Sequence, residues 1–189
     1  ILGKPEQLGE VKTATGPTKE RLLDPNPNAF LIMDAVRKEF GTDMAIINAG
    51  NIRGFFEQGP LDSHQVFEVV PLKNNMVKLK LTEKEIVDAL KKGAKSFNDP
   101  GHKPGIIMPS GLKYTVSRSG ELKAASFIDK EGKENAIDVN NPNPNKVYTV
   151  ATDDFMASGG DNLLENKIEK GKIDEKFDFD KDKLNCDYI

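Results

Sequence analysis

The sequence predicts a fold of mixed helices and strands, because both patterns occur along the chain without a repeating unit. An apolar residue recurs at helical spacing from Phe30 to Phe40, which indicates an amphipathic helix. The apolar run at 43–47 indicates a buried strand, and from Leu112 onward the pattern is that of hairpins. No internal repeat is present.

Local signals predict the individual elements in order. Asp24 followed by Pro25 predicts the start of the first helix, and Gly41 predicts its end. Thr82 and Glu85 have the spacing of a capping box, which predicts a second helix to about residue 97. Apolar or alternating runs predict strands at 66–70, 76–81, 113–117, 122–129 and 147–152. Segments rich in glycine or proline predict loops at 98–109 and 140–145.

Composition is that of a soluble chain with one core. The 189 residues are 37% hydrophobic, so we expect one domain over 1–170 and a polar tail over 171–189. The tail is interpreted as a solvated, partly ordered terminus, with a binding role as the alternative. A net charge of −3 with mixed signs predicts no nucleic-acid partner, and no apolar run is long enough to predict a membrane span. The single Cys186 cannot form an internal disulfide and leaves the redox compartment undecided.

Two features indicate what this chain lacks. It begins at Ile1 without a signal segment, so we expect a piece of a longer polypeptide. Its two histidines, His64 and His102, lie in polar, turn-like surroundings. Because a two-metal phosphoesterase needs several His and Asp ligands around ions roughly 3.5–4 Å apart, we expect no metal cofactor in this chain.

Two segments combine small residues with one charged side chain, at 48–53 and 157–161. Small residues allow the backbone to approach a ligand closely, and the charged group can then hold it. Arg53 follows a predicted strand end and could bind a phosphate through its planar fork of donors, while Asn48 can both donate and accept. The alternative for this segment alone is a turn that carries a solvated arginine.

The order of four segments, 48–53, 70–74, 110–114 and 154–161, resembles the C-terminal domain of the 5'-nucleotidase family over residues 8–170. That family includes 5'-nucleotidases, UDP-sugar hydrolases and cyclic-nucleotide phosphodiesterases. The resemblance implies an α+β domain, with mixed sheets and helices outside them, that recognises the nucleotide substrate of an extracytoplasmic phosphohydrolase. It also implies that two divalent metal ions, Zn, Mn or similar, lie in a separate N-terminal metallophosphoesterase domain, which we infer to be absent from this chain.

The resemblance also assigns roles to individual residues. Asn48 and Arg53 match positions that contact the nucleotide, Arg53 chiefly at the phosphate. Asn74 and Gly111 match positions at the nucleoside pocket. Asp161 matches an acid that accepts hydrogen bonds from the ribose hydroxyls.

The aromatic clamp and the first arginine depart from the family pattern. Phe155 matches an aromatic that stacks on the base, with core packing as the alternative. Leu72, followed by Lys73, occupies the place where many members have the second aromatic of a two-sided clamp. Arg21 is the nearest candidate for a further phosphate-binding arginine if an insertion is assumed, and a surface salt bridge is its alternative.

Two functions follow for a chain of this kind. The first is the substrate-recognition part of a nucleotidase, inactive by itself, with a nucleotide or nucleoside and its own N-terminal domain as partners. The second is a non-catalytic binding or surface-interaction module. An upstream Asp-x-His pattern, followed by Gly-Asn-His-Glu or Gly-Asn-His-Asp, would favour the enzyme.

Overall fold

A mixed five-stranded sheet forms the centre of the structure, a computed structural model that describes residues 7–15, 20–71, 74–99, 105–170 and 173–176. In spatial order its strands are β10 (Ile173–Lys176), β4 (Met76–Thr82), β9 (Val147–Asp153), β2 (Met44–Asn48) and β5 (Ile107–Ser110). Neighbouring strands are antiparallel except β2 and β9, which are parallel. The carboxyl ends of β2 and β9 therefore meet at one edge of the sheet.

Two smaller antiparallel sheets accompany the central one. β1 (Gln7–Val11) pairs with β3 (Gly59–Asp62). The other small sheet has the order β6 (Leu112–Val116), β7 (Leu122–Ile128) and β8 (Glu134–Ile137).

Helices and the three-stranded sheet cover the two faces of the central sheet. The helices are α1 (Pro27–Phe40), α2 (Ser63–Val69), α3 (Glu83–Ala94), which a 3₁₀ turn continues to Phe97, and α4 (Asp154–Ala157). Because successive side chains of a strand point to opposite faces, Ile46 belongs to a core with α3 and the three-stranded sheet, while Ile47 belongs to a core with α1 and α2. The result is the α+β arrangement that the sequence predicts.

The first helix begins two residues later than predicted. Asn26 is the N-cap, since its side chain accepts a hydrogen bond from the backbone N–H of Asn28, and Pro27 occupies the first turn. The prediction of Asp24 and Pro25 was therefore wrong, because the pattern of a short polar residue followed by proline occurs twice in succession. The predicted end at Gly41 is confirmed by its left-handed φ of 59°.

The predicted strand at 66–70 was also wrong, since these residues lie in or directly after α2. Asp62 and Gln65 form a capping box that starts this helix. Val66 and Val69 are both buried three positions apart, which is helical spacing on one face.

The predicted loop at 98–109 was wrong at its end, where Ile107–Ser110 forms β5 and pairs with β2; residues 100–104 lie outside the described ranges. The strands β1, β3, β8 and β10 were not predicted. They are short and partly polar, so only pairing with a neighbour stabilises them.

Other predictions are confirmed. β4, β9 and the β6–β7 hairpin lie within one residue of the predicted ranges. The capping box of Thr82 and Glu85 is present, and α3 with its 3₁₀ turn ends at the predicted Phe97.

The polar segment after Leu164 contains a buried cation. Lys167 is 1% exposed, and its ammonium pairs with the carboxylate of Glu85 at the start of α3. Although burial raises the pKa of Glu85, the hydrogen bonds from Lys167 and Thr82 hold this pKa below its ordinary value.

Part of the predicted tail belongs to the central sheet, since Ile173–Lys176 forms β10 and pairs with β4. Among the described helices, none has the length and apolar character to cross a bilayer.

Candidate functional site

Several polar side chains meet where β2 and β9 end. Asn48 is the last residue of β2 and Asp153 is the last residue of β9. Met76, the first residue of β4, pairs with Asp153, so Asn74 and Asn75 lie at the same edge. Ligands of open sheets commonly bind outside the carboxyl ends of parallel strands. We call this group of residues the strand-end site.

Asn48 joins the first and last predicted binding segments. It is 2% exposed, and its Nδ2 donates a hydrogen bond of 2.7 Å to Oδ2 of Asp161, 113 positions later in the chain. Its Oδ1 is buried and accepts no hydrogen bond from the described residues. Because a buried acceptor without a donor is unfavourable, this oxygen is suited to a donor on a ligand.

The backbone at Asp161 has an uncommon conformation. Asp161 and Asn162 have φ angles of 57° and 55°, in the left-handed region that few non-glycine residues adopt. Gly159, with φ 89°, turns the chain just before them. The side chain of Asp161 remains half-buried beside Asn48. Left-handed backbone at non-glycine residues is enriched at binding sites, in agreement with a functional role for this turn.

Asp153 is a buried carboxylate at the centre of the strand-end site. It is 1% exposed, and its Oδ2 accepts hydrogen bonds from Nδ2 of Asn51 and from Nδ2 of Asn74, the latter at 2.8 Å. Its Oδ1 accepts from the backbone N–H of Met156 at 2.8 Å and so caps α4. Burial raises the pKa of Asp153, and the nearby negative charges of Asp154 and Asp161 act in the same direction.

Phe155 has one face against the backbone and a large exposed fraction. An added Cβ at Gly160 would lie 2.7 Å from both Cε1 and Cε2 of the Phe155 ring, so the ring lies flat against this glycine. The residue is 39% exposed and belongs to neither hydrophobic core. A ring supported in this way can stack on a planar ligand group.

Arg21 lies against the backbone of the segment that carries Arg53. Nη1 of Arg21 donates hydrogen bonds of 3.2 Å to the carbonyl oxygens of Gly50 and Ile52. Partial burial lowers the pKa of Arg21, and the adjacent charge of Arg53 lowers it further. Within the described ranges, neither guanidinium forms an ion pair with a carboxylate. Two cations without an acidic partner favour an anion beside them.

Gly111 is a predicted site residue that the structure does not bring to this edge. Gly111 lies at the opposite end of β2, where an added Cβ would collide with the carbonyl oxygen of Asp43 and lie 2.7 Å from Cζ of Arg37. Its φ of 73° and this close packing require glycine for structural reasons. Leu72 lies outside the described residues.

Sequence reasoning did not assign Asn51 and Asp153 to the site. Asn51 stands inside the 48–53 segment, and Asp153 ends a strand that is otherwise largely buried. A carboxylate at the end of a buried strand, directly before a short helix, is the signal that could have identified Asp153 as a capping residue.

The described residues do not fit a metal centre. No group of three or more His, Cys, Asp or Glu side chains within the described ranges could hold an ion. The strand-end site instead combines amides and carboxylates, and Arg21, Arg53 and Phe155 lie on or against the segments that adjoin it. A few polar groups of this kind commonly fix the orientation of a small-molecule ligand.

Comparison with known proteins places this chain in a family. Residues 9–166 match the model of the 5'-nucleotidase, C-terminal domain. The chain is 31% identical over 151 residues to protein UshA of Escherichia coli, covering 76% of this chain and 24% of UshA. It is 27% identical over 167 residues to the trifunctional nucleotide phosphoesterase protein YfkN of Bacillus subtilis, covering 84% of this chain and 11% of YfkN.

A solved structure has the same fold. The crystal structure of a 5'-nucleotidase precursor from Thermus thermophilus superposes with a TM-score of 0.70 at 22% identity, covering 92% of this chain and 34% of that one. The chain thus spans about a third or less of each of these proteins. The chain belongs to the 5'-nucleotidase family, and its residues 9–166 form the C-terminal domain of that family.

Proposed function

We propose that the strand-end site binds a nucleotide and presents its phosphate to a separate catalytic domain. The observation that carries this proposal is the hydrogen bond between Asn48 and Asp161, which brings the two predicted binding segments into one site. The names of the relatives, a nucleotide phosphoesterase and a 5'-nucleotidase, support a nucleotide as the ligand.

Arg53 is proposed to bind the phosphate, with Arg21 beside it. Arg53 is exposed, whereas Arg21 is held by two carbonyl groups and adds positive potential. A guanidinium presents donors in a planar fork that matches phosphate oxygens. The structure favours this role for Arg21 over a surface salt bridge, since no acid pairs with it within the described ranges.

The nucleoside is proposed to lie on Phe155. The exposed ring face can stack on the base, and the carboxylate of Asp161 can accept hydrogen bonds from the ribose hydroxyls. Oδ1 of Asn48 and the amide of Asn74 are then placed to bind donors on the same ligand. Leu72 is proposed to cover the other face of the base.

The whole protein is proposed to be an extracytoplasmic phosphohydrolase. Two divalent metal ions, Zn, Mn or similar, would lie in an N-terminal metallophosphoesterase domain, because the described residues of this chain do not fit them. With added Mn²⁺ or Zn²⁺ the isolated chain should therefore leave AMP intact, and hydrolysis that a chelator abolishes would contradict this division of roles.

Calorimetric titration with AMP and adenosine tests the binding proposal. Arg53→Ala should weaken AMP binding by about 1.5–3 kcal/mol and leave adenosine binding nearly unchanged, because only AMP carries the phosphate. Phe155→Ala should weaken both ligands by about 1–3 kcal/mol, because both contain the base.

Lys130→Ala is a matched control, since it removes a cation from the exposed turn after β7. Ile128, at the end of β7, donates to the carbonyl oxygen of Gly111 at the far end of β2, so this turn is remote from the site. Equal losses for AMP and adenosine in Arg53→Ala would show that Arg53 does not bind the phosphate. Failure of the wild type to bind either ligand would contradict the function itself and favour a surface-interaction module.

A further inference from the structure

We propose that Asp153 is the positioning residue of the strand-end site: its carboxylate orients the amide of Asn74 and holds three binding segments in register. This inference depends on the proposed function only for its consequence in ligand affinity. The geometry that carries it is the convergence of three donors on one buried carboxylate.

The three donors come from three separate parts of the chain. Asn51 belongs to the 48–53 segment, Asn74 precedes β4, and the N–H of Met156 belongs to α4, which also carries Phe155. Each of these segments contains a residue with a proposed ligand contact. One carboxylate therefore connects the phosphate, base and nucleoside parts of the site.

The carboxylate also determines which way the amides face. A carboxylate only accepts hydrogen bonds, so Asn51 and Asn74 must each turn the NH₂ group toward it. The carbonyl oxygen of Asn74 then faces away from Asp153 and acts as an acceptor. A neutral side chain at position 153 would allow both amide orientations and would remove this selection.

The burial of this charge points to a role other than stability. Asp153 is 1% exposed, and no cation pairs with it within the described ranges. A buried charge without a counter-ion lowers stability compared with a packed apolar residue. The raised pKa of Asp153 reflects the same unfavourable burial.

The adjacent Asp154 provides a matched comparison. Its Oδ2 accepts a hydrogen bond of 3.0 Å from Nδ2 of Asn75, the residue after Asn74. It is half-buried, whereas Asp153 is almost fully buried. Replacing either aspartate by asparagine removes one negative charge from the same turn, but only Asp153→Asn removes the carboxylate that orients Asn74.

The first test measures the amide directly and needs no ligand. The side-chain NH₂ signals of Asn74, assigned in ¹⁵N NMR spectra by their loss in Asn74→Ala, should shift in Asp153→Asn and stay in place in Asp154→Asn. Unchanged Asn74 signals in Asp153→Asn would overturn the proposal. If that variant does not fold, the ¹³C signal of the Asp153 carboxyl group should shift in Asn74→Ala, and an unchanged signal would overturn the proposal equally.

The second test measures affinity with AMP as the probe. Asp153→Asn should raise the Kd for AMP about threefold to tenfold, because only a fraction of the molecules then hold the binding arrangement. Adding Asn74→Asp should restore part of the affinity, because positions 153 and 74 then exchange donor and acceptor and position 74 still presents an oxygen, although Asn51 now faces an amide group. Asp154→Asn should leave the Kd nearly unchanged.

The outcomes of the two tests separate the proposals. An unchanged Kd in Asp153→Asn, together with weaker binding in Asn74→Ala, would remove the positioning role and leave the proposed function intact. A wild type that binds no AMP would contradict the proposed function, and the NMR result would still decide the role of Asp153. A lower melting temperature with an unchanged Kd would reduce Asp153 to a structural residue.

Discussion

Replacement of Gly160 by alanine tests whether the position of the Phe155 ring determines base affinity. Gly160 has no left-handed φ, so alanine is compatible with its backbone. Its added Cβ would, however, lie 2.6 Å from the carbonyl oxygen of Phe155 and 2.7 Å from two ring carbons. Because carbon atoms in contact are normally about 3.5–4.0 Å apart, the ring would have to move by about 1 Å.

The substitution should reduce both the affinity for the base and the stability of the fold. Stacking of a base on an aromatic ring contributes about 1–3 kcal/mol, and a displaced ring keeps part of it, so we expect Gly160→Ala to weaken adenosine binding by about 1–2 kcal/mol. Overpacking commonly costs about 1–3 kcal/mol of stability. We expect the upper part of this range, because the ring of Phe155 can move outward whereas its backbone carbonyl oxygen, 2.6 Å from the added Cβ, moves only with the chain.

Titration of adenosine into a double-mutant cycle measures this effect. In the Phe155→Ala background the ring is gone, so Gly160→Ala should cause little further loss of affinity, although its contact with the carbonyl oxygen should still lower the melting temperature. Additive losses of affinity in the double variant, or full affinity in Gly160→Ala, would refute the argument that Gly160 acts through the ring.

Two further predictions concern buried charges. Glu85→Gln keeps the capping box but leaves the ammonium of Lys167 at 1% exposure without its counter-ion, so it should cost about 3–5 kcal/mol in urea unfolding. Lys167→Met should cost less, because the remaining Glu85 is 29% exposed and keeps some hydration, and the reverse order would contradict this. Because the pKa of Asp153 is raised in the folded state, this group contributes stability that is fully present below its ordinary pKa of 3.8 and is lost as pH rises through the folded-state pKa. The stability of the wild type relative to Asp153→Asn should therefore fall as pH rises above about 4, and a constant difference across a series of urea titrations would exclude this effect.

The strongest local signals were sufficient for several elements. The capping box at Thr82 and Glu85 requires only residues three positions apart, and Gly41 ends α1 because few other residues adopt its left-handed conformation. The prediction at 66–70 was wrong because a short apolar run has no clear period. Its helical state depends on the capping box at Asp62 and on which valines face the core.

The sequence by itself determined the α+β class, the main helices and strands, and the family, because these follow from local spacing and from the order of four short segments. Only the tertiary structure decided which residues meet. The parallel pairing of β2 with β9 brings Asn48 to Asp161 and Asp153 to Asn51, and it leaves Gly111 at the other end of β2. Such contacts join residues about a hundred positions apart, so they depend on strand order and register rather than on any local pattern.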